Sequence, residues 1–306
     1  MDSQAAALMA AQGGVVAAGQ LSALGIPSRD VQAWVRDEEL VRVRRAAYVD
    51  ATVWMEANAD DQYRLRVMAV MRSRDVLESA SHHSALALHR LPLWHVDRSL
   101  VVLMADVEES TTTSGLRITP LRRLVSTTEV EGLGALGVAD AVVTAGSVCV
   151  EAGVVAGDAA IHDGRCSLQQ VREAAARLGP TLRGRARMRR VLANLDGCAE
   201  SPGESRTRLV LTALGLPVES QVVVRDAVGV VVARVDFLVR GRVVVEFDGA
   251  VKYGGDGGAA ALVAEKARED RLRSLGYEVV RVTWDELARP ELLLARIRAA
   301  LARRAA

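Results

Sequence analysis

The sequence of 306 residues contains little lysine, few aromatic residues and few cysteines. Only two of its 39 basic residues are lysine, Lys252 and Lys266. The cysteines are odd in number and lack CxxC spacing, which argues against a disulfide framework and a cysteine-rich zinc site. The formal net charge is only +1, so any contact with nucleic acid has to come from local basic patches.

Long uncharged apolar stretches are also missing. The most apolar segment, 134–161, is interrupted by Asp140, Glu151 and Asp158, whereas a membrane helix needs about 20 nearly uncharged residues. The first residues do not have the charge pattern of a signal peptide. We therefore expect a soluble, cytoplasmic protein without a membrane partner.

Changes in residue pattern divide the chain into three segments. Residues 1–60 predict short helices and a hairpin, residues 61–198 mix helices with short strands, and residues 199–306 predict the order α-β-β-β-α-β. The expected fold class is α/β, mixed and multi-domain. It comprises an N-terminal winged helix, an α+β middle region whose role the sequence does not define, and a C-terminal αβββαβ core.

The first segment has the pattern of a winged helix-turn-helix. Residues 15–24 are predicted to be helical, Ser28 is a good N-cap for a second helix over 29–38, and 40–49 reads as a hairpin with a basic tip. In such a domain the second helix enters the major groove and the wing meets phosphates. The predicted nucleic-acid contacts are Ser28, Arg29, Gln32, Arg36, Arg42, Arg44 and Arg45.

A small helical packing domain is the alternative, since this segment has 5 arginines against 8 acidic residues. The stretch 19–49, GQLSALGIPSRDVQAWVRDEELVRVRRAAYV, resembles the N-terminal winged-helix domain of AbiEi-type antitoxins of type IV toxin–antitoxin systems. The wing pattern of that family, G-L-V-R-V-x-R-G-x-Y, has Glu39 and Ala46 here in place of its two glycines. The resemblance implies DNA binding, often autoregulatory, and makes a toxin protein a candidate partner.

The middle segment contains four histidines within 14 residues, at positions 82, 83, 89 and 95. His82 and His89 share a helical face without a cysteine or carboxylate nearby in the sequence to complete a metal site. Partial burial with hydrogen bonding is the favoured interpretation. The arginine-rich region 171–195 is interpreted as a solvated helix face, with a phosphate-contacting patch as the alternative.

Three carboxylates interrupt the apolar strands predicted near the C-terminus: Asp236, Glu246 and Asp248. Buried charges are costly unless they are paired or bound to a metal. Glu246 and Asp248 project to one strand face. Asp236 joins them if the loop spans three residues, 240–242, so that position 236 faces 246; a two-residue loop would pair it with 245. Such oxygen ligands predict Mg²⁺ or Mn²⁺.

Other residues near these strands could assist the site. Ser201 is predicted to cap a helix that has Pro202 at its first position and Glu204 in a capping box. Lys252 or Lys266 could hold the attacking water or stabilise the phosphate. The alternative is that the acids form structural ion pairs with Arg234, Arg268 or Arg271.

This region resembles the PD-(D/E)XK nuclease superfamily, and more closely its very-short-patch-repair (Vsr)-like branch. The resemblance is carried by SPGESR at 201–206, VDF at 235–237, VEFDG at 245–249, KY at 252–253, EKAREDRL at 265–272 and RVTW at 281–284. It implies a restriction-endonuclease-like fold, with Asp236 and Glu246 as metal ligands and Glu204 as a supporting acid. The superfamily lysine is here Asp248, so Lys252 or Lys266 has to replace it if the domain is active.

The leading hypothesis is a DNA-binding, metal-dependent endonuclease that cleaves duplex or damaged DNA in repair or in phage or toxin–antitoxin defence. Its predicted catalytic residues are Glu204, Asp236, Glu246, Asp248, Lys252 and Lys266, and its predicted metal ligands are Asp236, Glu246 and Asp248. The alternative is a non-enzymatic, antitoxin-like regulator with a degenerate nuclease fold. RNA is a weaker candidate substrate, and a second copy of the chain is a candidate partner.

Overall fold

The computed structural model describes residues 1–74, 78–121, 124–179, 184–249 and 258–303, with no description of the side chains of 258–262. The chain divides into two compact units, Met1–Leu195 and Asp196–Ala306. Both units contain helices and at least one sheet, so the protein is mixed α/β. None of the described helices has the length and apolar character that a bilayer crossing requires.

The first unit opens with helices around a three-stranded sheet. The elements are α1 (Ser3–Ala11), β1 (Val15–Ala17), α2 (Ala18–Ala23), α3 (Ser28–Arg36), β2 (Leu40–Arg44), β3 (Ala47–Asp50) and α4 (Ala51–Glu56). The sheet order is β1-β3-β2, with antiparallel pairs. The helix predicted over 15–24 is wrong in its first turn, because Val15 and Val16 pair with β3 and are fully buried as a strand.

The helix α3 lies with its apolar face against the core of this sheet. The residues that pack inwards are Val31, Trp34 and Val35. The helix is shorter than predicted and ends at Arg36, where Asp37 becomes the C-cap. Its N-cap is Pro27 rather than the predicted Ser28, since the extended backbone of Pro27 leads directly into a helical Ser28.

The hairpin between β2 and β3 places Ala46 at φ +63°, in the left-handed region that favours glycine. The AbiEi-like pattern has glycine at this position. We expect Ala46→Gly to raise the free energy of unfolding by about 0.5–1 kcal/mol. Ala33→Gly, inside α3, is the control and should lower it by about 1 kcal/mol. Urea unfolding of the full chain measures both, and a destabilised Ala46→Gly protein would contradict this turn.

The rest of the first unit surrounds a six-stranded sheet of order β6-β7-β5-β4-β9-β8. Its elements are α5 (Ala59–Arg72), β4 (Ser79–Ala80), α6 (His82–Leu88), β5 (Val101–Ala105), β6 (Thr111–Thr113), β7 (Leu116–Pro120), β8 (Thr127–Val130), β9 (Leu133–Leu136), α7 (Val138–Val148), α8 (Val150–His162), α9 (Leu168–Leu178) and α10 (Arg185–Asn194). One hydrophobic core joins this sheet to the small one: Val15 and Val49 belong to the same cluster as Met68 and Leu103. The segments 1–60 and 61–195 therefore form one compact unit.

The second unit has the order α-β-β-β-α-β, followed by two short C-terminal helices. Its elements are α11 (Pro202–Ala213), β10 (Val218–Arg225), β11 (Val231–Val239), β12 (Val243–Phe247), α12 (Gly258–Ser274), β13 (Glu278–Val282), α13 (Trp284–Leu287) and α14 (Pro290–Ala302). The sheet order is β10-β11-β12-β13. The first three strands are antiparallel, and β13 runs parallel to β12 after the α12 crossover.

The register of β11 and β12 decides which side chains meet. Phe237 pairs with Val245 and Val239 with Val243, so the loop contains the three residues 240–242. This register puts position 236 opposite position 246 and confirms the three-residue alternative. Gly241 has φ +66°, which is the conformation expected of glycine in such a loop.

Candidate functional site

Glu204 is buried in the first turn of α11, with its side chain fully hydrogen-bonded. The Ser201 hydroxyl accepts from the Glu204 N–H at 3.2 Å and donates to Glu204 Oε1 at 2.8 Å. Glu204 Oε2 accepts from Glu200 N at 3.0 Å and from Gln221 Nε2 at 2.9 Å. The predicted cap is confirmed, but the carboxylate returns its bond to Glu200 N instead of the Ser201 N–H of a true capping box.

Asp236 and Glu246 lie on neighbouring strands, β11 and β12. Asp236 Oδ2 accepts from Phe247 N at 2.9 Å. Glu246 accepts two hydrogen bonds from Arg268 on α12, from Nη1 at 2.9 Å and from Nη2 at 3.0 Å. This is the bidentate geometry of a strong carboxylate–guanidinium pair. Arg268 precedes the buried Leu272 by one helical turn, which places it on the sheet-facing side of α12.

The charges of Glu204 and Glu246 act on Asp236, although among the described residues these three acids do not all bring carboxylate oxygens within 4.8 Å of one another. The pKa of Asp236 is raised to about 6, mainly by burial and also by the charges of Glu204 and Glu246, while the Phe247 N–H and Arg268 act to lower it. In the described part of the chain Asp236 makes no ion pair. Its negative charge is therefore only partly compensated.

Asp248 is the third predicted metal ligand of this region. It follows the last residue of β12, and its N–H donates to Val282 O at 2.8 Å. Among the described residues, Asp236, Glu246 and Asp248 do not all bring carboxylate oxygens within 4.8 Å of one another. The predicted metal-ligand trio is thus not assembled. The acids whose charges are named among the causes of the raised pKa of Asp236 are Glu204 and Glu246.

In the described part of the chain, Lys266 forms no ion pair with these acids. Lys266 is exposed on α12, about 120° around the helix from the buried Leu272. Lys252 lies outside the described residues. Arg268 is the cation that contacts a predicted acid, so the ion-pair alternative is realised at Glu246.

Gln221 was not identified from the sequence. It lies within β10 at φ +52°, in a conformation that is costly for a residue with a side chain. Its amide donates to Glu204 Oε2, so this strained strand residue helps to position the acid. A polar residue in an edge strand carries no sequence signal of such a role.

Gly203 lets α11 approach β12 closely. A Cβ atom at Gly203 would lie 2.0 Å from Cε1 of Phe247, closer than any packed contact allows. The ring of Phe247 packs edge-on against Trp284, with ring centroids 4.7 Å apart. The missing side chain at Gly203 therefore fixes the position of the first turn of α11, and with it that of Glu204.

The residues predicted to contact nucleic acid lie on the first unit. On α3, Ser28, Arg29, Gln32 and Arg36 are all exposed, and so are Arg42 and Arg45 in the hairpin. Arg29 forms a solvent-exposed pair with Asp30 at 3.4 Å. Arg44 is only partly exposed, because it donates to Ser114 O at 3.3 Å and to Thr113 Oγ1 at 3.4 Å.

A basic cavity of about 600 Å³ lies beside Arg44, between the β2–β3 hairpin and the β6–β7 turn. Three arginines and three hydroxyl groups line it, and the lining contains no carboxylate: Arg44, Arg45, Arg66, Ser99, Thr113 and Ser114. Arg66 Nη1 donates to Arg98 O at 3.2 Å, while its Nε is buried without a hydrogen-bond partner. Arg66 was missed in the sequence because it lies on α5, outside the predicted winged helix.

Comparisons with known proteins add no family to these observations. No protein-family model and no curated protein matches the chain significantly. The resemblances to AbiEi-type antitoxins and to Vsr-like nucleases rest on the motifs quoted above.

Proposed function

We propose that the protein binds DNA through its first unit and hydrolyses phosphodiester bonds as a metal-dependent endonuclease through its second. The observation that carries this proposal is the β11–β12 register, which puts the half-buried Asp236 opposite Glu246, and the raised pKa of Asp236 agrees with it. Such crowding of acids destabilises a fold and is typical of functional sites.

The donor set supports Mg²⁺ or Mn²⁺. Glu204, Asp236 and Glu246 offer only oxygen atoms, which suit these hard cations. Mg²⁺ is usually held by one or two carboxylates, with water and substrate phosphates as its other ligands. Asp236 and Glu246 would hold the ion and Glu204 would support it. Glu246 would then have to give up its hydrogen bonds to Arg268 in order to bind the metal. When bound, the ion supplies an activated water and neutralises phosphate charge.

Arg268 is the residue we propose in place of the predicted lysines. Once separated from Glu246, its guanidinium keeps a position beside β12 from which it can donate to phosphate oxygens. A cation there stabilises the negative charge that develops during hydrolysis. In this proposal neither Lys252 nor Lys266 is required.

The arrangement of the first unit supports the winged-helix interpretation. The elements α1 to β3 follow the order helix, strand, helix, helix, strand, strand, and the exposed face of α3 carries Ser28, Gln32 and Arg36. A recognition helix presents such side chains to base edges in the major groove. The basic cavity extends this surface with phosphate-binding groups from residues beyond 60.

We expect Arg66→Gln to weaken binding of the full chain to any duplex DNA, because it removes one phosphate contact. The slope of log affinity against log salt should become shallower by about one unit. Arg298→Gln, on the exposed face of α14, is the charge-matched control and should leave the slope unchanged. Gel-shift titrations at several salt concentrations measure both. Equal slopes for wild type and Arg66→Gln would show that Arg66 does not contact the DNA backbone.

Cleavage itself is tested with supercoiled, linear and mismatched plasmid DNA. We expect the purified full chain to nick DNA in Mg²⁺ or Mn²⁺ and to stop when EDTA is added. Wild-type protein that binds these substrates without metal-dependent cleavage would contradict the endonuclease proposal.

A second candidate function is favoured by one specific contact. The bidentate pair between Glu246 and Arg268 already neutralises one predicted metal ligand, as expected of a nuclease fold kept for binding alone. The protein would then be an antitoxin-like transcriptional regulator. It would protect a specific operator in a footprint of its own promoter, with or without divalent metal, and would cut none of the DNA substrates.

A further inference from the structure

A group of side chains of the types that bind metal ions lies in the first unit. It contains His95, Cys149 and Glu151, whose ligand atoms all lie within 4.8 Å of one another. The thiol of Cys149 donates to Glu151 Oε2 at 3.4 Å. The group therefore offers three different donor atoms, nitrogen, sulfur and oxygen, at separations that one metal ion could bridge.

The fold explains how these residues meet. Cys149 is at once the C-cap of α7 and the N-cap of α8, and Glu151 lies in the first turn of α8. His95 lies in the loop between α6 and β5, with a backbone φ of +49°.

Two of the other histidines predicted near His95, His83 and His89, contact backbone carbonyl groups. His83 Nε2 contacts the carbonyl oxygens of Asp97 and Leu100 at 3.2 and 3.0 Å. His89 Nε2 contacts Leu136 O at 2.7 Å. Both therefore have the structural role expected from the sequence. His95, by contrast, brings its ring to a cysteine and a carboxylate that come from a distant part of the chain.

A cavity of about 590 Å³ adjoins the group and is lined by both His95 and Cys149. His82, Arg117 and Ser110 line it as well. The cavity provides an entry path for an ion and space for a further ligand. A site with three protein ligands and one position open to a cavity is the arrangement of zinc sites that act on a bound molecule, whereas structural zinc sites are closed by four protein ligands.

We propose that His95, Cys149 and Glu151 bind a zinc ion whose fourth coordination position faces this cavity. The thiolate and imidazole donors select zinc over Mg²⁺, which prefers oxygen ligands. The fourth position would take water or another oxygen ligand, and Arg117 and Asp97 both line the same cavity. This site is independent of the acids around Asp236 and of the nuclease proposal.

The test is titration of the metal-free full chain with Co²⁺, a spectroscopic substitute for zinc. We expect one Co²⁺ per chain, tetrahedral visible bands and a thiolate-to-cobalt charge-transfer band, all removed by Zn²⁺. Cys149→Ser should lose the charge-transfer band, and His95→Ala should weaken Zn²⁺ binding by at least about tenfold. Cys166→Ser and Cys198→Ser are the matched controls and should keep the band.

Circular dichroism of each variant shows whether it is folded. If folded Cys149→Ser retains the band, or if the wild type shows none at saturating Co²⁺, the proposal is wrong. The same holds if His95→Ala binds Zn²⁺ as tightly as wild type. Mass spectrometry of the protein purified without chelator should find zinc in a ratio of about one per chain.

Discussion

Replacing Asp236 with asparagine is expected to stabilise the second unit at pH 8 and to reduce metal-dependent cleavage by at least about 100-fold. Asparagine retains an oxygen that can accept the Phe247 N–H, so the hydrogen bond at 2.9 Å is kept. It removes a charge that burial and two neighbouring acids disfavour. The same carboxylate would therefore cost stability and supply activity.

The pH dependence of this effect follows from the raised pKa. The folded protein holds the Asp236 proton up to about pH 6, against an ordinary value of 3.8. Because the folded state binds the proton more tightly, this group makes the fold less stable as the pH rises from about 4 to 6, and its effect is constant above that range. With allowance for solvent screening, Asp236→Asn should be more stable by about 1–2 kcal/mol at pH 8 and nearly unchanged at pH 4.

Urea unfolding of the full chain in EDTA at both pH values measures this difference. Glu219→Gln, which neutralises an exposed acid of β10, is the control and should change neither stability nor cleavage. Mg²⁺ should stabilise the wild type and leave Asp236→Asn almost unaffected, since the ion binds the folded state. If the Asp236→Asn protein is less stable than wild type at pH 8, the negative charge of Asp236 is already neutralised by its neighbours and the prediction is wrong.

The second large effect is expected at Gly203. Gly203→Ala puts a methyl group 2.0 Å from the Phe247 ring, so the ring or the first turn of α11 has to move. Overpacking of this kind typically costs about 1–3 kcal/mol. Any movement of α11 also carries Glu204 away from Asp236, so cleavage should fall further than the loss of stability alone explains.

The control for this substitution lies on the same helix. Thr212→Ala, at an exposed position of α11, should be neutral or slightly stabilising because alanine is the better helix former. Unfolding and nicking assays on both variants separate the two contributions. A Gly203→Ala protein with the stability and activity of Thr212→Ala would show that the approach of α11 to β12 is not needed.

Much of the second unit could be predicted because its signals are local. Short runs of β-branched apolar residues mark the strands, and Gly241 marks the loop that puts position 236 opposite 246. The pairing of Glu246 with Arg268 could only be offered as an alternative, since it depends on how α12 is rotated against the sheet. Sequence spacing does not determine that rotation.

Other features depend on contacts between distant segments. The first turn of the helix predicted over 15–24 is the strand β1 in the structure, because Val15 and Val16 pair with residues of β3. His95 lacked a visible metal partner because Cys149 reaches it only through the packed fold. Helical and strand periodicities describe one element at a time, so they contain no information on contacts between distant segments.

The edge-on contact between Phe247 and Trp284 has a practical consequence for this chain. Trp284 is the only tryptophan in residues 196–306, and its neighbour Phe247 follows Glu246 and donates its N–H to Asp236. Any rearrangement of these acids is thus transmitted to one indole ring. Its fluorescence, read in a variant with the tryptophans of the first unit replaced by phenylalanine, offers an intrinsic optical reporter of ion and substrate occupancy.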